Sequence, residues 1–186
     1  RHTLFPYTTL FRSELDVDMI GFSEDLGTQR ALMMSPKTFR KMILPEYEYI
    51  FENVLAAGKI INFHSCGCVE AIAGELASIG VTMLNPIQAR ANDLARLKSD
   101  TVGRMALNGA IDTALLARGT PADVRAEVIR VMDLLKPGGG YLCAPDQGIP
   151  GIPPENLQAL RQTAAEEGGY NSRARRPRQK RSPQHA

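Results

Sequence analysis

Short apolar runs that alternate with longer amphipathic stretches constrain this chain more than any other feature of its sequence. The runs are MIGF (19–22), KIINFH (59–64), VTML (81–84), RMAL (104–107) and GYLCA (140–144). Each is followed by a helical pattern. Ser35-Pro36 opens the first, as N-cap and first helical residue, with Phe39, Met42 and Ile43 behind it. Pro45 divides that helix or begins another, which carries Ile50, Phe51, Val54 and Leu55. Val69, Ile72, Ala73, Leu76 and Ile79 form a stripe that ends at Gly80. A shorter helix is expected around Leu94 and Leu97. Thr120-Pro121 opens a helix with Val124, Val128, Val131 and Leu135, and a last helix lies near Leu157, Leu160 and Ala164. Such units predict an α/β fold, a parallel sheet whose strands are covered by helices. Their spacing of about 31 residues suits a (β/α)8 TIM barrel. A doubly wound open sheet is the alternative, without support from a G-x-G-x-x-G after the first strand. Five units cannot close an eight-stranded barrel, so the expectation is a C-terminal part whose missing strands precede it, or a fragment with bare strand edges.

The two ends differ from the middle. Residues 3–13, TLFPYTTLFRS, resemble the conceptual translation of a sequencing adaptor, so 1–13 is set apart as foreign. Residues 171–186 carry six basic residues and no hydrophobic periodicity, and read as a disordered tail. The body between, 14–170, holds all 20 acids and has a net charge of −6. An acidic body argues against specific nucleic-acid binding. No window reaches the ~18 apolar residues of a membrane span. Three cysteines in a chain without a secretory signal fit a reducing cytoplasm rather than a disulfide framework.

In both folds the chemistry gathers at the C-terminal ends of the strands. Those positions hold Glu24, Asp25 and Gln29 after the first strand, and His64-Ser65-Cys66-Gly67-Cys68 after the second. Asn85 and Gln88 follow the third, Asn108 and Asp112 the fourth, and Cys143, Asp146 and Gln147 belong to the fifth. His64 is the only histidine of the body. In an extended segment His64 and Cys66 face one side, and an imidazole beside a thiolate is half of a zinc site. Cys143 is the first choice of third ligand, Cys68 the second, and a carboxylate such as Asp146 the third. Three protein ligands and one open position describe a catalytic zinc. The competing reading is a buried histidine with inert cysteines.

The segments EDLGTQ, SPKTFRKMILPEY, FHSCG, LNPIQ, NGAIDT, GGGYLCAPDQGIP and PPENLQAL, in that order, resemble the C-terminal part of the uroporphyrinogen decarboxylase superfamily. The resemblance implies a (β/α)8 barrel and one of two chemistries. In the methyltransferase branch, a zinc held by a His-x-Cys pair and a later Cys serves methyl transfer between small donors, corrinoid proteins and thiols. His64 and Cys66 match the pair, but the later Cys falls near Gln147, where this chain has glutamine. The expectation is a metal site of His64, Cys66 and Cys143. Asp25 and Asp146 are expected in catalysis, and Glu24, Gln29, Asn85, Gln88, Asn108, Asp112 and Gln147 on a small-molecule substrate. A corrinoid protein is the implied partner, and a homo-oligomer is left open. The other branch decarboxylates uroporphyrinogen without metal or cofactor, with Asp25 or Asp112 on the pyrrole N–H groups. Its mouth would need cations that these positions lack. An inactive fragment is the third reading.

Overall fold

The computed structural model describes residues 16–148 and 151–170. The expectations for 1–13 and 171–186 lie outside the described residues. Five strands form one wholly parallel sheet in the order β1 to β5: Met19–Ser23, Ile60–His64, Met83–Ile87, Ala106–Ile111 and Tyr141–Pro145. Every strand pairs with its neighbour in sequence. A doubly wound sheet would reverse its order at a switch point, so the observed order is that of a barrel arc.

Burial alternates along β1 and β2 and through the first residues of β3 and β4, whose ends are buried continuously. Ile20, Ile61, Phe63, Leu84 and Leu107 are buried on one face. The opposite face carries Met19, Ile60 and Leu142 at 47%, 43% and 45% exposure. The expected cover of helices is present on the first of these faces. In a closed (β/α)8 barrel the other face is the lumen.

The covering helices begin where the sequence predicts. Ser35 caps α1 (Pro36–Thr38) by accepting a hydrogen bond from the Thr38 N–H. A wider π-helical turn, Phe39–Ile43, joins it to α2, Leu44–Ala56, and places Pro45 in the first turn, where no N–H is needed. From α2, Tyr47 and Phe51 stack at 5.4 Å and close on Phe22 of β1 and Phe63 of β2. The next helices are α3 (Glu70–Ser78), α4 (Leu94–Thr101), α5 (Thr113–Arg118), α6 (Pro121–Leu135) and α7 (Pro154–Glu167). Thr120 and Asp123 form a reciprocal capping box on α6. No helix of the described residues is long and apolar enough to cross a membrane.

Two strand boundaries move. β3 and β4 begin two residues later than their apolar runs suggest, because Gly80 (φ +92°) and Gly103 (φ +75°) turn the chain just before. Asn85, Pro86, Asn108 and Gly109 consequently lie inside strands rather than in loops, and the Asn85–Pro86 peptide is cis. Gly109 sits at φ +121°, and a Cβ there would lie 2.8 Å from the Ile87 nitrogen, so β3 and β4 approach closely at that point. Helix α5 has no counterpart in the periodicity, being too short to show one.

The capping box is separable from the site. Thr120→Ala is expected to lower stability by about 1 kcal/mol, read as a lower denaturant midpoint with unchanged slope.

Candidate functional site

The site is built from two loops that interlock above β1 and β2. The first, after β1, donates the Glu24 N–H to the His64 carbonyl (2.9 Å) and the Leu26 N–H to Ser65 Oγ (3.0 Å). The second returns the Cys68 N–H to the Thr28 carbonyl at 2.7 Å. The backbones touch where each loop has a glycine. A Cβ on Gly67 would lie 2.4 Å from the Gly27 carbonyl carbon, and one on Gly27 would lie 2.6 Å from the Cys68 nitrogen. Gly67 also needs its φ of +82°, a region costly to other residues.

This clasp fixes the His64-Ser65-Cys66 turn. His64 is the last residue of β2 and lies on its open face, with Asn85 beside it in register on β3. Asn85 Oδ1 is 3.3 Å from His64 Nδ1. With the Nδ1 proton donated to that oxygen, the Nε2 lone pair is left for other work. Nε2 lies 3.6 Å from Cys66 Sγ and 3.9 Å from Asp25 Oδ1. The same Asp25 oxygen accepts the Cys66 N–H at 3.0 Å. Among the described residues, Asp25, His64 and Cys66 are the group of metal-ligating side chains whose donor atoms all fall within 4.8 Å of one another.

A cavity of about 340 Å³ opens beside this group, lined by His64, Cys66, Asn85, Pro86, Pro145, Asp146, Gln147 and Gly148. Burial holds the Cys66 thiol above its ordinary range, the charge of Asp25 adds to that, and the polar side chain of Gln147 opposes it.

The residues expected at the mouth divide into three kinds. Asp25, His64, Cys66, Asn85, Asp146 and Gln147 come together around the cavity. Gln88, Asp112 and Gln29 are engaged as braces. Buried Gln88 accepts from the Gly67 N–H (2.7 Å) and from Gln29 Nε2 (2.8 Å), and Asp112 caps α5 and pairs with Arg90. Asn108 lies on the open face of β4 with Nδ2 3.8 Å from Met83 Sδ, and Glu24 stands exposed at the start of its loop. Cys143 does not join His64 and Cys66. It shares a strand face with buried Tyr141 and packs against the core, on the helix side of the sheet, whereas His64 is on the open side. Asp25 stands in the place expected for it. Cys68 points into a separate cavity with Arg30, Met34 and Glu70.

Sequence reasoning missed two supports. Asn92, buried, accepts from the Val69 N–H and donates to the carbonyls of Gly67 and Gln88, holding the loop from below. Thr113, also buried, receives the Gln147 N–H at 3.0 Å and binds Asp146 Oδ1 through its own N–H at 3.0 Å. Thr113 reads in sequence as an ordinary first helical residue, and only the parallel pairing of β4 with β5 reveals its second task.

Comparison with known proteins agrees with this architecture. The family model for uroporphyrinogen decarboxylase (URO-D) matches residues 12–167, and the chain belongs to that family. Among solved structures, a methyltransferase from Methanosarcina mazei is similar at TM-score 0.67 and 21% sequence identity, over 88% of this chain and 48% of that one. The chain thus spans about half the length of that methyltransferase, and the likeness is one of fold. A D-psicose 3-epimerase solved in the presence of D-fructose is similar at TM-score 0.38 and 14% identity, over 87% of this chain and 76% of that one. No curated protein matches the chain.

Two outcomes test this geometry. Gly67→Ala meets both a forbidden φ and a backbone contact, and is expected to cost roughly 2–3 kcal/mol, measured by urea unfolding. Asp25→Asn removes a charge that raises the Cys66 thiol. More Cys66 is then thiolate at about pH 8, and its alkylation by iodoacetamide in metal-free protein is expected to quicken roughly two- to five-fold. Cys68, whose thiol is raised by burial and Glu70 instead, serves as the unchanged reference.

Proposed function

We propose that this family member takes part in methyl transfer to a thiol, from a corrinoid or a small methylated donor, and that His64, Cys66 and Asp25 hold a zinc ion for it. The observation that carries the reading is the convergence of three donor atoms within 4.8 Å at the rim of the cavity. The donor set suits zinc, which takes imidazole nitrogen, thiolate sulfur and carboxylate oxygen. With Zn–N near 2.0–2.1 Å and Zn–S near 2.3 Å, a tetrahedral N···S edge is roughly 3.6 Å. The His64 Nε2 to Cys66 Sγ distance is 3.6 Å, and the 3.9 Å to Asp25 Oδ1 needs only a small closure of an exposed side chain. When bound, zinc lowers the pKa of a thiol placed on its open position, making a nucleophile at neutral pH.

The chain's own residues supply the rest. Asn85 holds the Nδ1 proton of His64 and fixes which nitrogen faces the cavity. Asp25 Oδ1 receives the Cys66 N–H and so ties the two loops together at the sulfur. Asn85, Asp146 and Gln147 present amide and carboxylate groups to whatever enters. Among the described residues none that lines the cavity is Lys or Arg, so this wall offers no counter-charge to a substrate rich in carboxylates. That favours methyl transfer over decarboxylation of a polycarboxylate.

The test is elemental analysis of anaerobically purified protein, with an assay of thiol methylation from methylcobalamin. About one equivalent of zinc is expected, lost in His64→Ala and Cys66→Ser and weakened in Asp25→Asn. Wild-type protein carrying no more zinc than Cys66→Ser would sink the reading.

A further inference from the structure

Asp146 is 6% exposed and lines the cavity together with His64, Cys66, Asn85 and Gln147. Its two carboxylate oxygens are used differently. Oδ1 accepts both the Thr113 N–H, at 3.0 Å, and the Thr113 hydroxyl. The Asp146 N–H donates to the Ile111 carbonyl at 2.8 Å, so the residue is fixed at backbone and side chain alike. Oδ2 has no partner among the described residues. Among those residues Asn62 Oδ1 and Asn156 Oδ1 are the side-chain atoms sealed from solvent without a partner, and Asp146 Oδ2 is not one of them. Oδ2 therefore keeps an open side, and the space its residue lines is the cavity.

A carboxylate stripped of most of its water gains from a counter-charge. No Lys or Arg among the described residues lines this cavity. Beyond His64 and Cys66, the wall offers the neutral amides of Asn85 and Gln147 and the rings of Pro86 and Pro145. A ligand that brings the positive charge itself fits Oδ2, and the proline rings suit methyl groups around that charge.

This placement bears on the methyl-transfer reading, on which the inference rests. We propose that the cavity takes a small methylated cation, an ammonium or a sulfonium, as the methyl donor, and that Asp146 Oδ2 recognises its charge. In the transfer a lone pair of the acceptor thiolate forms the S–CH3 bond while the donor's carbon–nitrogen or carbon–sulfur bond breaks. The electron pair of the broken bond returns to the donor's nitrogen or sulfur, which departs as a neutral amine or thioether. The proton that the acceptor thiol gave up passes to water. An ether or alcohol donor would instead leave as an oxyanion beside the Asp146 carboxylate, where like charges repel. The donor's charge fades as its bond breaks, so Asp146 contributes to binding the donor rather than to speeding its reaction.

Tetramethylammonium chloride is the probe, and tert-butanol, uncharged and of similar shape, is the control. Binding to the full chain is read by ligand-observed NMR, with zinc content measured in every sample. Physiological salt screens diffuse attraction to the acidic body. Wild-type protein is expected to bind the cation roughly tenfold more tightly than tert-butanol. Asp146→Asn keeps an acceptor for Thr113 and removes the charge, and is expected to lose that preference with zinc content unchanged. Asp133→Asn, an exposed change on α6, is expected to keep it. Equal affinity of zinc-loaded wild type for cation and control overturns the inference, even should Asp146→Asn misfold, and leaves the methyl-transfer reading standing. A cation preference that survives Asp146→Asn overturns it as well. Selective binding by wild type that carries no zinc leaves Asp146 as a cation site, and overturns both the methyl-transfer reading and the donor's role in it.

Discussion

A residue in a β-strand can face only one side of its sheet, and most of this structure follows from that restriction. Ile61 and Phe63 turn toward the helices, so Ile60, Asn62 and His64 must turn the other way. The same two-residue period sends Tyr141 and Cys143 into the helix layer and leaves Leu142 on the open face. The aromatic cluster of Tyr47, Phe51 and Phe63 anchors β2 from behind. The imidazole of His64 is therefore presented at the strand end by the packing of its neighbours, with Asn85 in register beside it.

That restriction also explains what was legible beforehand. Local chemistry announces itself in sequence, as Ser35-Pro36 and Thr120-Pro121 do at helix starts, and the strand–helix alternation yields the parallel sheet. His64 and Cys66 are legible because a two-residue spacing implies one face. Cys143 misleads for the same reason: its face depends on where β5 begins, and residue type alone is silent on that. The strand boundaries at Gly80 and Gly103 were hidden too, since an apolar residue just after a turn looks like the first residue of a strand. Tertiary partners leave no local trace. Gln88 resembles a substrate-binding amide and Asn92 a plain loop residue, yet their hydrogen bonds go to Gly67, Val69 and the neighbouring backbone.

Those amides account for how a site made of loops is held in place. Buried backbone groups need partners, and a loop lacks the ladder that supplies them in a strand. Here side chains from one unit satisfy the backbone of the next. Ser65 serves Leu26, Gln88 serves Gly67, Asn92 serves Val69, and Asp146 serves Thr113. The bonds cross from one β/α unit to another, so displacing any one loop leaves polar groups unpaired in its neighbours. Gly27 and Gly67 are the steric side of this arrangement, since bonds this short between loops require that nothing stand between the backbones.

Two carboxylates at corresponding strand ends then show how environment divides labour between identical side chains. Asp146 is 6% exposed and spends an oxygen on Thr113, which fixes its position and limits what it can offer a ligand. Asp25 has a side chain 65% exposed, and the oxygen that accepts from Cys66 also faces His64 Nε2. Desolvation is costly for a charged group that is buried and mild for one at a rim. The exposed side chain of Asp25 therefore stands beside a nitrogen and a sulfur without the desolvation cost that burial would impose. A ligand set completed by Asp25 keeps two anionic donors and one neutral donor, the same charge as one completed by a second cysteine. In the proposed zinc site the absence of a cysteine at position 147 therefore leaves the charge balance intact.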